Sequence, residues 1–143
     1  GTFYLRPTIR PILMLAGGTG LAPFLAMLRW LRENRTDQPI LLGYGVNTPA
    51  DLVELEALAE LKAVISEFDY FTVVVDPASG HDRIGYVTNH LKPEQLHGGD
   101  CDIYVCGPPP MVDGVRKWVA DAGVTPKNFL FEKFSSANEA TTK

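Results

Sequence analysis

The chain has 143 residues, 45% hydrophobic and 21% charged, with a mean hydropathy near zero. That is the composition of one globular domain long enough to bury its own core. Seventeen Asp and Glu against thirteen Lys and Arg leave a net charge of −4, and no basic run exceeds two residues, which argues against nucleic acid as a partner. No apolar stretch approaches about 18 residues, so no transmembrane helix and no membrane partner are predicted. No charged segment followed by an apolar one marks a secretory leader, and a cytoplasmic location is expected.

Short apolar runs alternate with helical patterns, the signature of a parallel α/β sheet. Residues 11–16 are apolar on both faces and predict a first buried strand. It ends in Gly17-Gly18-Thr19-Gly20, and a helix is predicted from about Pro23, with Phe24, Met27, Leu28 and Leu31 at i, i+3, i+4 and i+7. Residues 40–46 predict the second strand. Asp51 and Glu54 have capping-box spacing, which places Asp51 at the N-cap of a helix carrying Leu52, Leu55, Leu58 and Leu61. Residues 70–75 are β-branched and aromatic, a third strand, and 76–80 a loop. A short helical segment is expected around 89–91. Residues 103–106 predict a fourth strand that ends in the proline run 108–110. The next helix carries Met111, Val112, Val115 and Val119 and stops at Gly123. Residues 128–131 predict a last strand, and the small polar segment 135–143 is expected to be a disordered tail. The expected fold is a doubly wound, five-stranded parallel sheet with helices on both faces. Such sheets bind ligands beyond the strand carboxyl ends, where loops 17–23, 45–51, 76–80 and 106–111 would gather.

Two cysteines, Cys101 and Cys106, are too few for a disulfide framework or a four-thiolate cluster. On one strand they would lie about 16 Å apart on opposite faces, beyond the roughly 7 Å that a disulfide spans. Reduced thiols are therefore expected. His81, His90 and His97 do not sit at metal-ligand spacings, and no metal site is predicted.

The glycine turn before a helix suits close approach of a pyrophosphate, although it also reads as a glycine-rich turn without a ligand. It is neither a Walker A loop nor the dinucleotide G-x-G-x-x-G fingerprint, since Pro23 occupies the third glycine position. Three prolines after Gly107 predict a stiff loop poor in amide donors, suited to walling a flat ring. Cys106 reads either as a small packed hydrophobe or as a nucleophile, and no histidine stands near it in sequence to activate it.

The segments Ala16-Gly-Gly-Thr-Gly-Leu-Ala-Pro23, Tyr104-Val-Cys-Gly-Pro-Pro-Pro-Met111 and Phe131-Glu-Lys-Phe134 together resemble the pyridine-nucleotide domain of the ferredoxin–NADP reductase superfamily. The resemblance runs from Gly1 to Phe134 and is closest to the reductase components of aromatic-ring-hydroxylating dioxygenases. It implies that Gly18, Thr19, Gly20, Leu21, Ala22 and Pro23 form a pyrophosphate-binding turn. Gly45, Val46 and Asn47 would then face the adenosine half. Cys106, Gly107, Pro108, Pro109 and Met111 would wall the nicotinamide, with Cys106 at the hydride-transfer position. Glu132 matches an acid near flavin and nicotinamide, and Phe134 an aromatic that covers the flavin ring. Alternation on an edge strand accounts equally for Phe129 and Phe131. NADP-dependent relatives tend to carry a Ser-Arg pair after the third strand. Asp76 stands there, which implies NADH over NADPH unless it merely starts an Asp-Pro turn or Arg83 folds back over it.

The resemblance further implies that residues 1–5 close a preceding flavin-binding barrel and that 6–134 are the NAD-binding domain. FAD and a [2Fe-2S] cluster would be held by other domains of a longer reductase, the cluster by a ferredoxin-like one. A terminal oxygenase of aromatic hydrocarbon catabolism would receive the electrons. Methane or phenol hydroxylase reductases, flavohaemoglobin-type reductases and a non-redox nucleotide-binding module fit the same motifs.

Overall fold

A computed structural model describes residues 3–134, and the expected tail 135–143 lies outside the described residues, as do Gly1 and Thr2. Five strands form one all-parallel sheet: β1 (Ile12–Gly17), β2 (Ile40–Val46), β3 (Phe68–Val74), β4 (Asp102–Gly107) and β5 (Asn128–Lys133), in the order β3-β2-β1-β4-β5. Every residue of β1 and β4 is buried, which is why both read as continuous runs without alternation. Three helices complete the fold, α1 (Ala22–Asn34), α2 (Leu55–Val64) and α3 (Pro109–Asp121).

Successive side chains on a strand point to opposite faces, and the core divides accordingly. Met14, Ala16, Leu42, Tyr44, Tyr104 and Cys106 pack under α1 and α2 on one face. Leu13, Leu15, Ile103, Val105 and Cys101 pack on the other with Val112, Val115 and Val119 of α3. Helices on both faces make the sheet doubly wound, as expected. Both cysteines are free and buried, and they belong to opposite layers.

Three local expectations are corrected. Asp51 is not the N-cap of α2: Thr48 caps a 3-10 turn at Pro49–Asp51, Asp51 returns the capping bond at its third position, and α2 starts at Leu55 after a left-handed Glu54 (φ 59°). The proline run is not a loop, because Pro108 is the N-cap and Pro109 and Pro110 open α3, where missing N–H groups cost nothing. Finally, a 3-10 segment at Pro93–Gly99, not expected from the pattern, follows the anticipated short one, which lies at Val87–His90.

At the amino edge of the sheet, Asp102 is buried. It accepts from Arg10 Nη1 at 3.2 Å and from Asn128 Nδ2 at 2.8 Å. A cleft of about 220 Å³ opens at that same edge between Pro11, Pro39, Glu67 and His97.

Candidate functional site

The chain reverses its winding direction between β1 and β4, so their carboxyl ends flank the crevice where doubly wound sheets take ligands. Gly17 and Gly107 end these strands side by side. A Cβ on Gly17 would fall on the Met111 sulfur, and one on Gly107 would lie 2.6 Å from it. The Met111 thioether thus seats on a floor of two glycines, packed against the α3 layer.

A 3-10 turn at Gly18–Leu21 then folds across the end of β4. Gly20 is buried, and a Cβ there would overlap the Cys106 carbonyl oxygen and lie 2.7 Å from its carbon. Glycine at position 20 is therefore required by contact with the protein itself. Leu21 is buried in the core and Pro23 half-buried, whereas Gly18, Thr19 and Ala22 are exposed. Gly18 has φ 58°, a conformation that favours glycine, and the space beyond it is open. Neither the turn nor α1 has an acidic residue in its first turn, so the exposed Gly18–Thr19 corner at the helix N-terminus suits an anion.

The other crevice wall joins three expected residues. Cys106 pairs in register with Glu132 on β5, and the Phe134 N–H donates to the Gly107 carbonyl at 3.1 Å. The Phe134 ring is half-buried beside Gly20 and packs on the layer that contains Cys106. Cys106 is only 2% exposed. Burial, reinforced by the Glu132 carboxylate, pushes its thiol up to about 11. A thiol held neutral at pH 7 is packing material and not a nucleophile. Pro108 and Pro109 are half-buried, and the Pro108 carbonyl accepts from the Met111 and Val112 amides at 3.0 and 3.2 Å.

The far side of the edge is built by β2 and β3. Val46 and Asn47 carbonyls accept from the Val75 and Asp76 amides at 3.0 and 3.2 Å, so the ladder continues past the strand ends. Gly45 is half-buried under Val87, Val46 is buried and Asn47 exposed. Asp76 does start a turn, since its Oδ1 accepts from the Ala78 amide at 2.9 Å. Arg83 does not fold over it: the guanidinium sits 5.5 Å from the centre of the Phe71 ring. The turn at Asp76 and a ribose contact are not exclusive, because a carboxylate has more than one lone pair to offer.

Sequence reasoning missed Tyr44, a core residue whose hydroxyl reaches the 47–53 loop, and the Arg10–Asp102–Asn128 cluster at the opposite edge. Alternating burial could have flagged Tyr44 as inward-facing, but nothing local reports its hydrogen bonds. Among the described residues, no group of three or more His, Cys, Asp or Glu could hold a metal ion, and no helix is long and apolar enough to cross a membrane.

Residues 14–117 match the family described as oxidoreductase NAD-binding domain. The chain is 56% identical over 137 residues to the 2-halobenzoate 1,2-dioxygenase electron transfer component of Burkholderia cepacia, covering 94% of this chain and 40% of that protein. It is 48% identical to the toluate 1,2-dioxygenase electron transfer component of Pseudomonas putida, covering 96% of this chain and 41% of the relative. Among solved structures, the Amycolatopsis cytochrome P450 reductase GcoB superposes with a TM-score of 0.78 at 31% identity, over 96% of this chain and 42% of the other. The chain thus spans about two fifths of the length of these relatives. With the switch-point crevice, the glycine turn and the Cys106 wall in place, the chain belongs to the oxidoreductase NAD-binding domain family.

Proposed function

We propose that this domain binds NADH across the β1–β4 crevice and serves a longer FAD- and [2Fe-2S]-containing reductase that delivers electrons to a terminal ring-hydroxylating oxygenase. The observation that carries the reading is the convergence at one sheet edge of two sets of residues. One is the exposed Gly18–Thr19 corner at the N-terminus of α1, and the other is the Cys106, Glu132 and Phe134 group. The likeness to electron transfer components of 2-halobenzoate and toluate dioxygenases supports it. Flavin, cluster and oxygenase would then belong to the remaining three fifths of such a reductase and to its partner, in the cytoplasm.

Reduced nicotinamide, when bound, supplies a hydride. Residues of this chain bind, orient and exclude water. Amides of residues 18–22 and the α1 dipole receive the pyrophosphate. Gly45, Val46 and Asn47 face the adenosine half, and Gly107, Pro108, Pro109 and Met111 hold the nicotinamide wall. Cys106 contributes shape at the reacting carbon, while Phe134 covers the crevice and Glu132 lies beside it. Asp76 accepts from the ribose hydroxyls and repels the extra phosphate of NADPH, and Arg83 is engaged elsewhere.

The test is titration of the purified chain with NADH and NADPH, alone and as Asp76→Ser. A like-charge contact near the surface predicts roughly 5- to 150-fold tighter NADH binding, narrowed in the variant. Equal affinity in the wild type would overturn the role of Asp76, and no NADH binding would overturn the function. Tightly bound FAD in this 143-residue chain would overturn the division into domains.

A further inference from the structure

The 47–53 loop carries its own hydrogen bonds but little burial. Asp51 Oδ2 accepts from the Thr48 amide at 3.2 Å and from the Thr48 hydroxyl at 3.0 Å, and the Asp51 amide returns a bond to the Thr48 carbonyl at 3.0 Å. Asn47, Thr48, Pro49, Ala50, Asp51 and Val53 are all exposed. Such a turn holds its own shape, yet it needs a tie to the sheet to hold its place. At its entry the tie is the Asn47 carbonyl, bonded to the Asp76 amide at 3.2 Å. At its return the ties are the half-buried Leu52, packed against the core, and one buried polar atom. The Tyr44 hydroxyl accepts from the Val53 amide and donates to the Asp51 carbonyl, both at 3.2 Å.

Tyr44 is fully buried on β2, opposite Ala16 of β1 and Thr72 of β3. Phenylalanine would fill the same volume without bringing a hydroxyl into the core. A buried hydroxyl costs free energy unless both its donor and its acceptor capacity are used. Here both are used, and both on the one loop. Rigidity in the free protein matters for affinity, because a site that is only partly populated binds more weakly by that fraction.

We infer that Tyr44 is a positioning residue for the adenosine half of a bound dinucleotide, acting through the 47–53 loop that its hydroxyl anchors. The inference rests on the NADH-binding reading above. Tyr44→Phe in this chain is expected to weaken ADP-ribose binding by roughly 3- to 10-fold, about the net worth of one hydrogen bond, since Leu52 still holds part of the loop. Binding of reduced nicotinamide mononucleotide should stay within about twofold, since the nicotinamide wall is built by other elements. The Val53 amide should exchange faster with solvent. Asp51→Ala loosens the same loop from the surface, leaves the core intact and should give the same pattern. If Tyr44→Phe does not fold, unchanged ADP-ribose affinity in Asp51→Ala would overturn the inference, because the loop that Tyr44 anchors would then not position the ligand. Unchanged ADP-ribose affinity in a folded variant, or equal losses for both half-ligands, would overturn the role of Tyr44 while leaving NADH binding standing. A wild-type chain that binds neither NADH nor ADP-ribose would overturn both.

Discussion

Gly20→Ala should destabilise the fold before it affects any ligand. The added Cβ would overlap the Cys106 carbonyl oxygen, lie 2.7 Å from the carbonyl carbon and 3.1 Å from Phe134 Cε1. Two of these atoms are backbone, and that backbone has no room to yield. Cys106 is paired on one side with Ala16 of β1 and on the other with Glu132 of β5. Overpacking typically costs about 1–3 kcal/mol, and contact against a doubly paired strand belongs at the upper end, about 3 kcal/mol. For a domain of this size about 1 kcal/mol lowers Tm by roughly 3–6 °C, so a drop of roughly 10–15 °C is expected.

Two other glycines calibrate the experiment. Gly18 faces open space but has φ 58°, so Gly18→Ala should cost about 1 kcal/mol from backbone strain alone. Gly114, in the middle of α3 with nothing within 4 Å of a would-be Cβ, should gain about 0.5–1 kcal/mol on replacement by Ala. Thermal and urea melts of the three variants should therefore rank Gly114→Ala above wild type, then Gly18→Ala, then Gly20→Ala. Gly20→Ala melting within about 2 °C of wild type, or above Gly18→Ala, would refute the contact argument. It would also return Gly20 to a role in ligand approach.

Asp102→Ala removes the acceptor from Arg10 and Asn128 at a site where Asp102 is 1% exposed, and should cost about 3 kcal/mol in urea denaturation, with Asp102→Asn costing less. A loss under about 1 kcal/mol would mean that water replaces the carboxylate freely. Burial raises both thiols from 9.0 to about 11, with Asp102 and Asp100 adding to the effect at Cys101 and Glu132 at Cys106. A thiol whose pKa is raised on folding stabilises the protein fully below its unfolded pKa, and that contribution is lost as pH rises through the folded value. Stability should therefore fall between pH 9 and about 11, and the Cys101→Ala, Cys106→Ala double variant should show a shallower fall. Equal slopes would show that other groups, Tyr44 and Tyr104 among them, dominate the alkaline limb.

The central strands were legible because burial on both faces leaves β1 and β4 nearly free of polar residues, and both end on glycine. β2 begins at Ile40 and ends at Val46, as the apolar run indicates. The helix starts were less legible because capping is a choice among neighbours. Thr48 and Asp51 both offer capping oxygens, and three residues, the last the left-handed Glu54, separate their turn from α2. The proline run is ambiguous for a similar reason: a residue without an N–H suits a loop and a first helical turn equally. Motifs located the site, but their physical reasons are non-local. Met111 lies 94 positions from Gly17, and Cys106 lies 86 from Gly20, so no sequence window contains both members of either contact. A glycine-rich turn reads as ligand-binding because ligand approach is the familiar use of a missing Cβ; at Gly20 a strand end takes that space, while Gly18 faces open space.

This separation has a consequence for the proposed NADH site. Where the strand ends of β1 and β4 meet, the chain is fixed by protein-to-protein contact, with Gly17, Gly20, Cys106 and Gly107 all buried. Substitutions there must displace the Met111 side chain or the end of β4, so stability and binding should fall together and affinity alone cannot report the role of a residue. Along the adenosine edge Asn47 is exposed and Asp76 half-buried, and both are held by backbone hydrogen bonds that survive a change of side chain. Substitutions there should alter affinity and nucleotide preference at nearly constant Tm. Thr19 belongs with the second group although it sits beside the first, because its side chain is exposed on a turn whose neighbour Gly20 makes the contact with β4. On the proposed reading, the crevice tolerates substitution least where nicotinamide would be aligned and most where one nucleotide would be told from another.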